Sequence, residues 1–251
     1  MMQAGEPTTQ FTVDNGIAVL RLDRPRSLNA INTAMTHELD AALDRCESDE
    51  AIRALVIVGT GRGFCVGSDL KEGGGGDPLD RVRHMHALVL RLVECPKPSV
   101  AAINGLALGG GLEIAMACTL RVAAPDARLG LPEVTHSLMP SYGGTQLLPR
   151  LVGLGRALEL ALTGEMIDAA RARQIGLVNA LADDCLAEAV ALADRCASGG
   201  PVAQREIRRA MWAGYGLPLA EGLALEAAGV PHIIASGEAA AGLATFKNSA
   251  K

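Results

Sequence analysis

Three consecutive glycines, Gly109-Gly110-Gly111, separate an apolar stretch ending at Leu108 from a run of good helix formers, Leu112 to Ala117. With no side chains there, a ligand can approach the backbone N–H groups closely. A helix starting at this point offers unpaired amides and the positive end of its dipole. Glu113 then projects from the first helical turn, and twenty residues further on Pro132 is followed by a second glutamate, Glu133. A cradle of amides beside two carboxylates is a layout for acid–base work on a carbonyl compound. A tight turn followed by an ordinary helix-start acid is the plainer alternative.

Around this segment, strand and helix signals alternate. Phe11 to Leu22 reads as a hairpin closed by Asn15-Gly16. Met35, Leu39, Leu43 and Cys46 recur at helical spacing. Ala54 to Val58 is a short β-branched run of the buried-strand kind, and Gly61 to Ser68 is punctuated by glycine. Four glycines, 73–76, precede a helical pattern from Leu79 to Leu92. Pro96 and Pro98 break that pattern before a strand at Ser99 to Ile103, and Leu120 to Ala124 reads as another strand. The alternation indicates an α/β architecture with crossover connections. Beyond Gln146 the pattern is mainly helical, and Gly199-Gly200-Pro201 is the candidate boundary between an α/β body, residues 1–198, and a helical region, residues 199–251.

The 251 residues carry a net charge of −5, with 49% hydrophobic and only 2% aromatic residues. The core is therefore aliphatic, and general nucleic-acid binding, which needs a basic surface, is excluded. The six cysteines, Cys46, Cys65, Cys95, Cys118, Cys185 and Cys196, form no Cys-x-x-Cys pair. They read as free core thiols in a reducing cytoplasm rather than zinc ligands or disulfides. His84 and His86 read as solvated rather than as metal ligands. The N-terminal segment lacks a basic flank and an apolar h-region, so no signal peptide is expected. Ser99 to Leu120 is interrupted by Asn104, Glu113 and the glycines, which makes it a poor membrane span.

Several separated motifs resemble the crotonase, or enoyl-CoA hydratase/isomerase, superfamily. They are Arg24-Pro25-Arg26-Ser27-Leu28-Asn29-Ala30, the stretch from Gly63 through Gly67-Ser68-Asp69-Leu70-Lys71 to Glu72, Pro98 to Glu113 with its glycine triplet, and Leu131-Pro132-Glu133 with Pro140 to Gln146. Leu162-Thr163-Gly164-Glu165 and Gly176 to Asn179 are similar to the family's punctuation of its helical region. The resemblance runs over nearly the whole chain in consistent order. It implies ββα turns wound into a right-handed spiral, with a helical C-terminal oligomerisation region that builds homotrimers or homohexamers. It also implies acyl-CoA thioester substrates and no metal or redox cofactor, coenzyme A being part of the substrate.

Carried over residue by residue, the resemblance makes the backbone N–H groups of Ser68 and Gly110 an oxyanion hole. Glu113 and Glu133 become the carboxylates that handle protons, Glu113 mainly as base toward water and Glu133 as proton donor to C2. Arg26 and Lys71 stand where basic residues meet the phosphates or adenine of coenzyme A. Ser68, Asp69, Leu70 and Lys71 line the substrate's approach, and Ser141 lies close to the water site. Ser68 as a nucleophile is disfavoured, because Gly-x-Ser-x-Gly is absent and no histidine stands in a base position. A hydratase needs one proton removed and one delivered, whereas an isomerase needs a single shuttling carboxylate. Retention of both glutamates therefore points to an enoyl-CoA hydratase, with an enoyl-CoA isomerase or other crotonase-type acyl-CoA enzyme, or a non-catalytic acyl-CoA-binding scaffold, as alternatives. The chain departs from the family at Ser141, a position usually glycine, at bulky Tyr142, in the four-glycine stretch, and in a C-terminus lacking the usual basic run.

Overall fold

The computed structural model describes residues 6–72 and 77–249, so the four-glycine stretch, the extreme N-terminus and the last two residues lie outside the described residues. Asn15 and Gly16 adopt positive φ of 48° and 79°, the pair of left-handed residues that matches a tight turn to strand twist. They join β1 (Thr9–Asp14) to β2 (Ile17–Leu22) as an antiparallel hairpin. Helix α1 (Thr33–Ser48) follows, its N-terminus capped by the Asn32 side chain, which accepts from the Met35 amide. The chain continues through β3 (Ala54–Gly59), β4 (Gly63–Cys65), α2 (Pro78–Glu94), β5 (Ser99–Ile103), β6 (Leu106–Leu108), α3 (Gly110–Ala117), β7 (Leu120–Ala123) and β8 (Arg128–Gly130). A 3-10 turn over Pro132–His136 leads into α4 (Gly144–Val152), α5 (Leu154–Thr163), β9 (Ile167–Asp168), α6 (Ala169–Gln174), β10 (Ala180–Leu181) and α7 (Cys185–Ala197). Helices α8 (Pro201–Gly214), α9 (Leu219–Ala235) and α10 (Glu238–Ser249) complete it.

The strands sort into two sheets, one ordered β1-β2-β3-β5-β7-β10 and the other β4-β6-β8-β9. From β3 to β8, each turn of the chain contributes one strand to the first sheet, the next to the second, and then helical structure. That repeat is a ββα spiral. From β2 onward, the neighbours in the larger sheet are parallel. Its central strands are buried on both faces, so β3 reads as a continuous apolar run rather than alternating. Leu55 and Ile57 face the main core with α1 and α3, while Ala54, Val56 and Val58 pack beneath Cys185, Ala189 and Ala193 of α7.

The sequence pattern shows the long elements but not the second sheet. Strands β4, β6 and β8 are three residues each and contain or adjoin glycine, too short for a two-residue period to register. They nevertheless matter most for the site, because β4 and β6 run parallel and end beside one another at the two glycine-rich segments.

Candidate active site

Helix α3 begins at Gly110, so the Gly110 N–H has no intrahelical acceptor. Gly67 lies after β4 with φ +91°, a conformation that L side chains rarely adopt. A Cβ there would come within 3.1 Å of the Gly110 nitrogen. The loop after β4 therefore passes at close range over the start of α3. Within that loop, the Gly67 carbonyl accepts from Ile31 N and the Asp69 amide donates to Ile31 O, both at 2.8 Å. The amide between them, that of Ser68, takes no part in this ladder. Two N–H donors thus stand at one spot where glycine keeps the space open.

Glu113 is 1% exposed. Its Oε1 accepts from the Tyr142 amide at 2.8 Å and the Gly144 amide at 2.6 Å, which fixes the carboxyl group from the loop preceding α4 and the first residue of that helix. Burial pushes its pKa up and the nearby Glu133 adds to the rise. The two amides oppose it, and the balance leaves the group at about 7. Glu133 sits in the 3-10 turn after Pro132, half-buried, with its pKa also raised by burial. Its Oε2 is buried without a hydrogen-bond partner among the described residues. Glu133 Oε1 would lie 2.9 Å from a Cβ at Gly109, so the absence of a side chain there admits the second carboxylate to the hole.

These groups line a single cavity of about 290 Å³ that includes Ser68, Leu70, Gly110, Glu113, Glu133, Ser141 and Tyr142. Val66, Pro132, Leu138 and Met139 supply apolar wall, and His136 lies at its edge. Leu70 is 75% exposed, at the mouth. Ser141 contributes its backbone as well, its carbonyl accepting from His86 Nε2 at 2.8 Å, so His86 is engaged rather than merely solvated.

Arg26, Asp69 and Lys71 lie outside that lining. Arg26 is exposed on the 3-10 turn Pro25–Ser27 and Lys71 is exposed after the loop. Asp69 turns away from the cavity into an ion pair with Arg24 at 2.8 Å, which lowers its pKa despite the opposing effect of burial. Arg24 also donates to the Ala30 carbonyl at 2.5 Å, so the pair ties the loop carrying Ser68 to the segment before α1. Arg81 is the residue that the sequence reading passes over. On α2 it looks like one more charge of a solvated face, yet its Nε donates to the Tyr142 hydroxyl at 3.1 Å and its Nη2 to the Ile31 carbonyl at 2.6 Å. No local signal marks it, because its partners are 61 and 50 residues away.

Among the described residues, His37, Asp40 and His84 offer donor atoms within 4.8 Å of one another. They lie on α1 and α2 and do not line the cavity, and the Asp40 carboxylate is already shared between His84 at 2.5 Å and Arg91 at 3.3 Å. No helix among the described residues is long and apolar enough to cross a membrane.

The sequence model of the enoyl-CoA hydratase/isomerase family matches residues 12–251. The chain is 38% identical over 248 residues to a probable enoyl-CoA hydratase of Bacillus subtilis (strain 168), covering 96% of both. It is 36% identical over 244 residues to the mitochondrial methylglutaconyl-CoA hydratase of Mus musculus, covering 93% of this chain and 78% of that one. The crystal structure of an enoyl-CoA hydratase from Bacillus anthracis superposes with a TM-score of 0.92 at 34% identity, covering 96% of both chains. The chain belongs to the enoyl-CoA hydratase/isomerase family, and its two-sheet spiral is the crotonase fold.

Proposed function

We propose that the protein is an enoyl-CoA hydratase, adding water reversibly across the double bond of a 2-enoyl-CoA to give the 3-hydroxyacyl-CoA. The observation that carries this reading is that Glu113 and Glu133 line one cavity with Ser68 and Gly110, whose amides have no acceptor among the described residues. The thioester oxygen sits between those amides, which stabilise the negative charge it gains as water adds; one such donor is worth roughly 3–4 kcal/mol in comparable sites. A water held between the two glutamates loses a proton to Glu113 as its oxygen bonds to C3, and the proton on Glu133 passes to C2. Burial raises the pKa of both carboxyl groups, and two so close titrate as a coupled pair; the step calls for Glu113 ionised while Glu133 carries the proton. The hydratase names of the relatives support the same reading.

Coenzyme A enters as part of the substrate. Exposed Arg26 and Lys71 are the positive charges we assign to its phosphates, and no metal or redox cofactor is called on. The measurement that tests the reading is loss of the conjugated-thioester absorbance of crotonyl-CoA and longer enoyl-CoAs. Glu113→Gln and Glu133→Gln should each lower kcat by 10²–10⁴-fold, and the double variant should be little worse than the poorer single one. If Glu133→Gln is crippling while Glu113→Gln is mild, the protein is an isomerase. Two unaffected variants make it a scaffold.

A further inference from the structure

The Ser68 side chain is placed as deliberately as its amide. Its Oγ lies 2.6 Å from the Tyr142 hydroxyl, and that hydroxyl is 3.1 Å from Arg81 Nε. A guanidinium N–H can only donate, so one lone pair of the Tyr142 oxygen is taken by Arg81. Arg81 is itself held by the Ile31 carbonyl and by Glu72. The two hydroxyls carry two protons between them, and the single bond joining them uses one. The other proton has no acceptor among the described residues, and both side chains line the cavity. A phenol is the more acidic hydroxyl, and the cationic donor on its oxygen polarises it further. Tyr142 is therefore the donor in the short bond to Ser68 Oγ, and the proton left over is the one on Ser68.

We infer that the Ser68 hydroxyl is a third donor to the thioester oxygen, oriented by the chain Arg81–Tyr142–Ser68. This inference rests on the oxyanion-hole reading above and extends it from backbone to side chain. The amide and the hydroxyl of one serine lie close enough to converge on a single oxygen. The hydroxyl acts with no bond made or broken: it donates to the carbonyl oxygen, more strongly as that oxygen becomes negative. Tyr142 is a positioning residue in this scheme. Its ring also closes against Gly110, where an added Cβ would lie 2.7 Å from the ring, so the same side chain keeps the hydroxyl donor and the Gly110 amide in register.

The test combines turnover with the carbonyl stretch of bound crotonyl-CoA labelled with carbon-13 at C1. Hydrogen bonding lowers that frequency independently of catalysis. Ser68→Ala should reduce kcat roughly 10–100-fold, at or below the usual loss of one oxyanion donor, and should move the bound carbonyl toward its frequency in water. Ser68→Thr should restore both, and Tyr142→Phe should shift the frequency in the same direction by a smaller amount. Should Ser68→Ala fail to fold, Tyr142→Phe carries the test alone, and an unshifted carbonyl in it counts against the inference. A Ser68→Ala protein with wild-type kcat and wild-type carbonyl frequency overturns the inference while leaving the hydratase reading intact. A wild type that shifts the carbonyl but hydrates nothing overturns the hydratase reading, and the Ser68 comparison still stands on the spectrum. Failure to bind crotonyl-CoA at all overturns both.

Discussion

Glu113 shows how two opposing local effects set a working pKa. The amides of Tyr142 and Gly144 favour the carboxylate, yet removal from water dominates and leaves the group at about 7. Between its ordinary value near 4.5 and about 7, the folded chain holds a proton that the unfolded chain has released. Folding stability therefore falls as pH rises through that window and levels off above it, by on the order of 3 kcal/mol for a shift of this size. Glu113→Gln keeps an acceptor oxygen for both amides and has no charge to bury. It should melt above the wild type at pH 8, with the gap closing by pH 5; a gap independent of pH contradicts the assignment. In the active protein, kcat/KM for enoyl-CoA should drop on the acid side with an apparent pKa near 7, as the base becomes protonated. At Asp69 the ion pair with Arg24 leads us to expect a loss in kcat with little change in KM on Asp69→Asn, because the loop loosens without a substrate contact being removed. A rise in KM alone would return Asp69 to the substrate's path.

At the scale of elements, α3 is an eight-residue helix with work at both ends. Its N-terminus presents the Gly110 amide. At its C-terminal end the buried Arg121 guanidinium donates to the carbonyls of Cys118 at 2.9 Å and Leu177 at 2.7 Å, and more weakly to Met116 at 3.5 Å. Arg121 has no carboxylate partner among the described residues, and burial lowers its pKa to about 10, which leaves it charged at neutral pH. A cation at this end complements the dipole whose other end faces the cavity. Arg121→Met should cost about 3 kcal/mol in urea unfolding, since it takes a charged donor away from buried carbonyls. A loss under 1 kcal/mol would show that water replaces the guanidinium freely.

For the molecule as a whole, the last three helices meet the spiral mainly through α8, whose Trp212 packs against the main core and whose Arg208 donates to the Val93 carbonyl at 3.1 Å. Helix α7 packs on the larger sheet, whereas α8 packs chiefly on α9 and leaves Met211, Leu219, Leu223, Val230 and Ile234 each at least half exposed. Contiguous apolar surface beyond a few hundred Å² marks an interface. We expect a homotrimer or homohexamer in sedimentation at micromolar concentration, and Leu219→Glu with Ile234→Glu should shift it toward smaller species while leaving the spiral folded. A stable wild-type monomer would contradict this.

Much of this protein is readable along the chain. The Asn15-Gly16 hairpin, the spacing of Met35, Leu39, Leu43 and Cys46, the run Ser99 to Ile103, and the glycine triplet before Glu113 are local signals, because propensity, period and conformational freedom act within a few residues. The same locality explains what stayed hidden. Strands of three residues have too few positions to show a period, so the second sheet exists only as pairing between segments some twenty to forty residues apart, Gly63 with Leu106 and Leu106 with Arg128 among them. The sequence places Asp69 beside Ser68 and suggests a shared task, but side chains along an extended segment point alternately to opposite sides, and the fold sends Asp69 to Arg24 instead. Residue types alone determined that two carboxyl groups and a glycine-lined helix start were available. Only the tertiary structure decided that Tyr142 would hold Glu113 with its amide and Ser68 with its hydroxyl, because hydrogen bonds across 29 and 74 residues are set by packing, which no local pattern encodes.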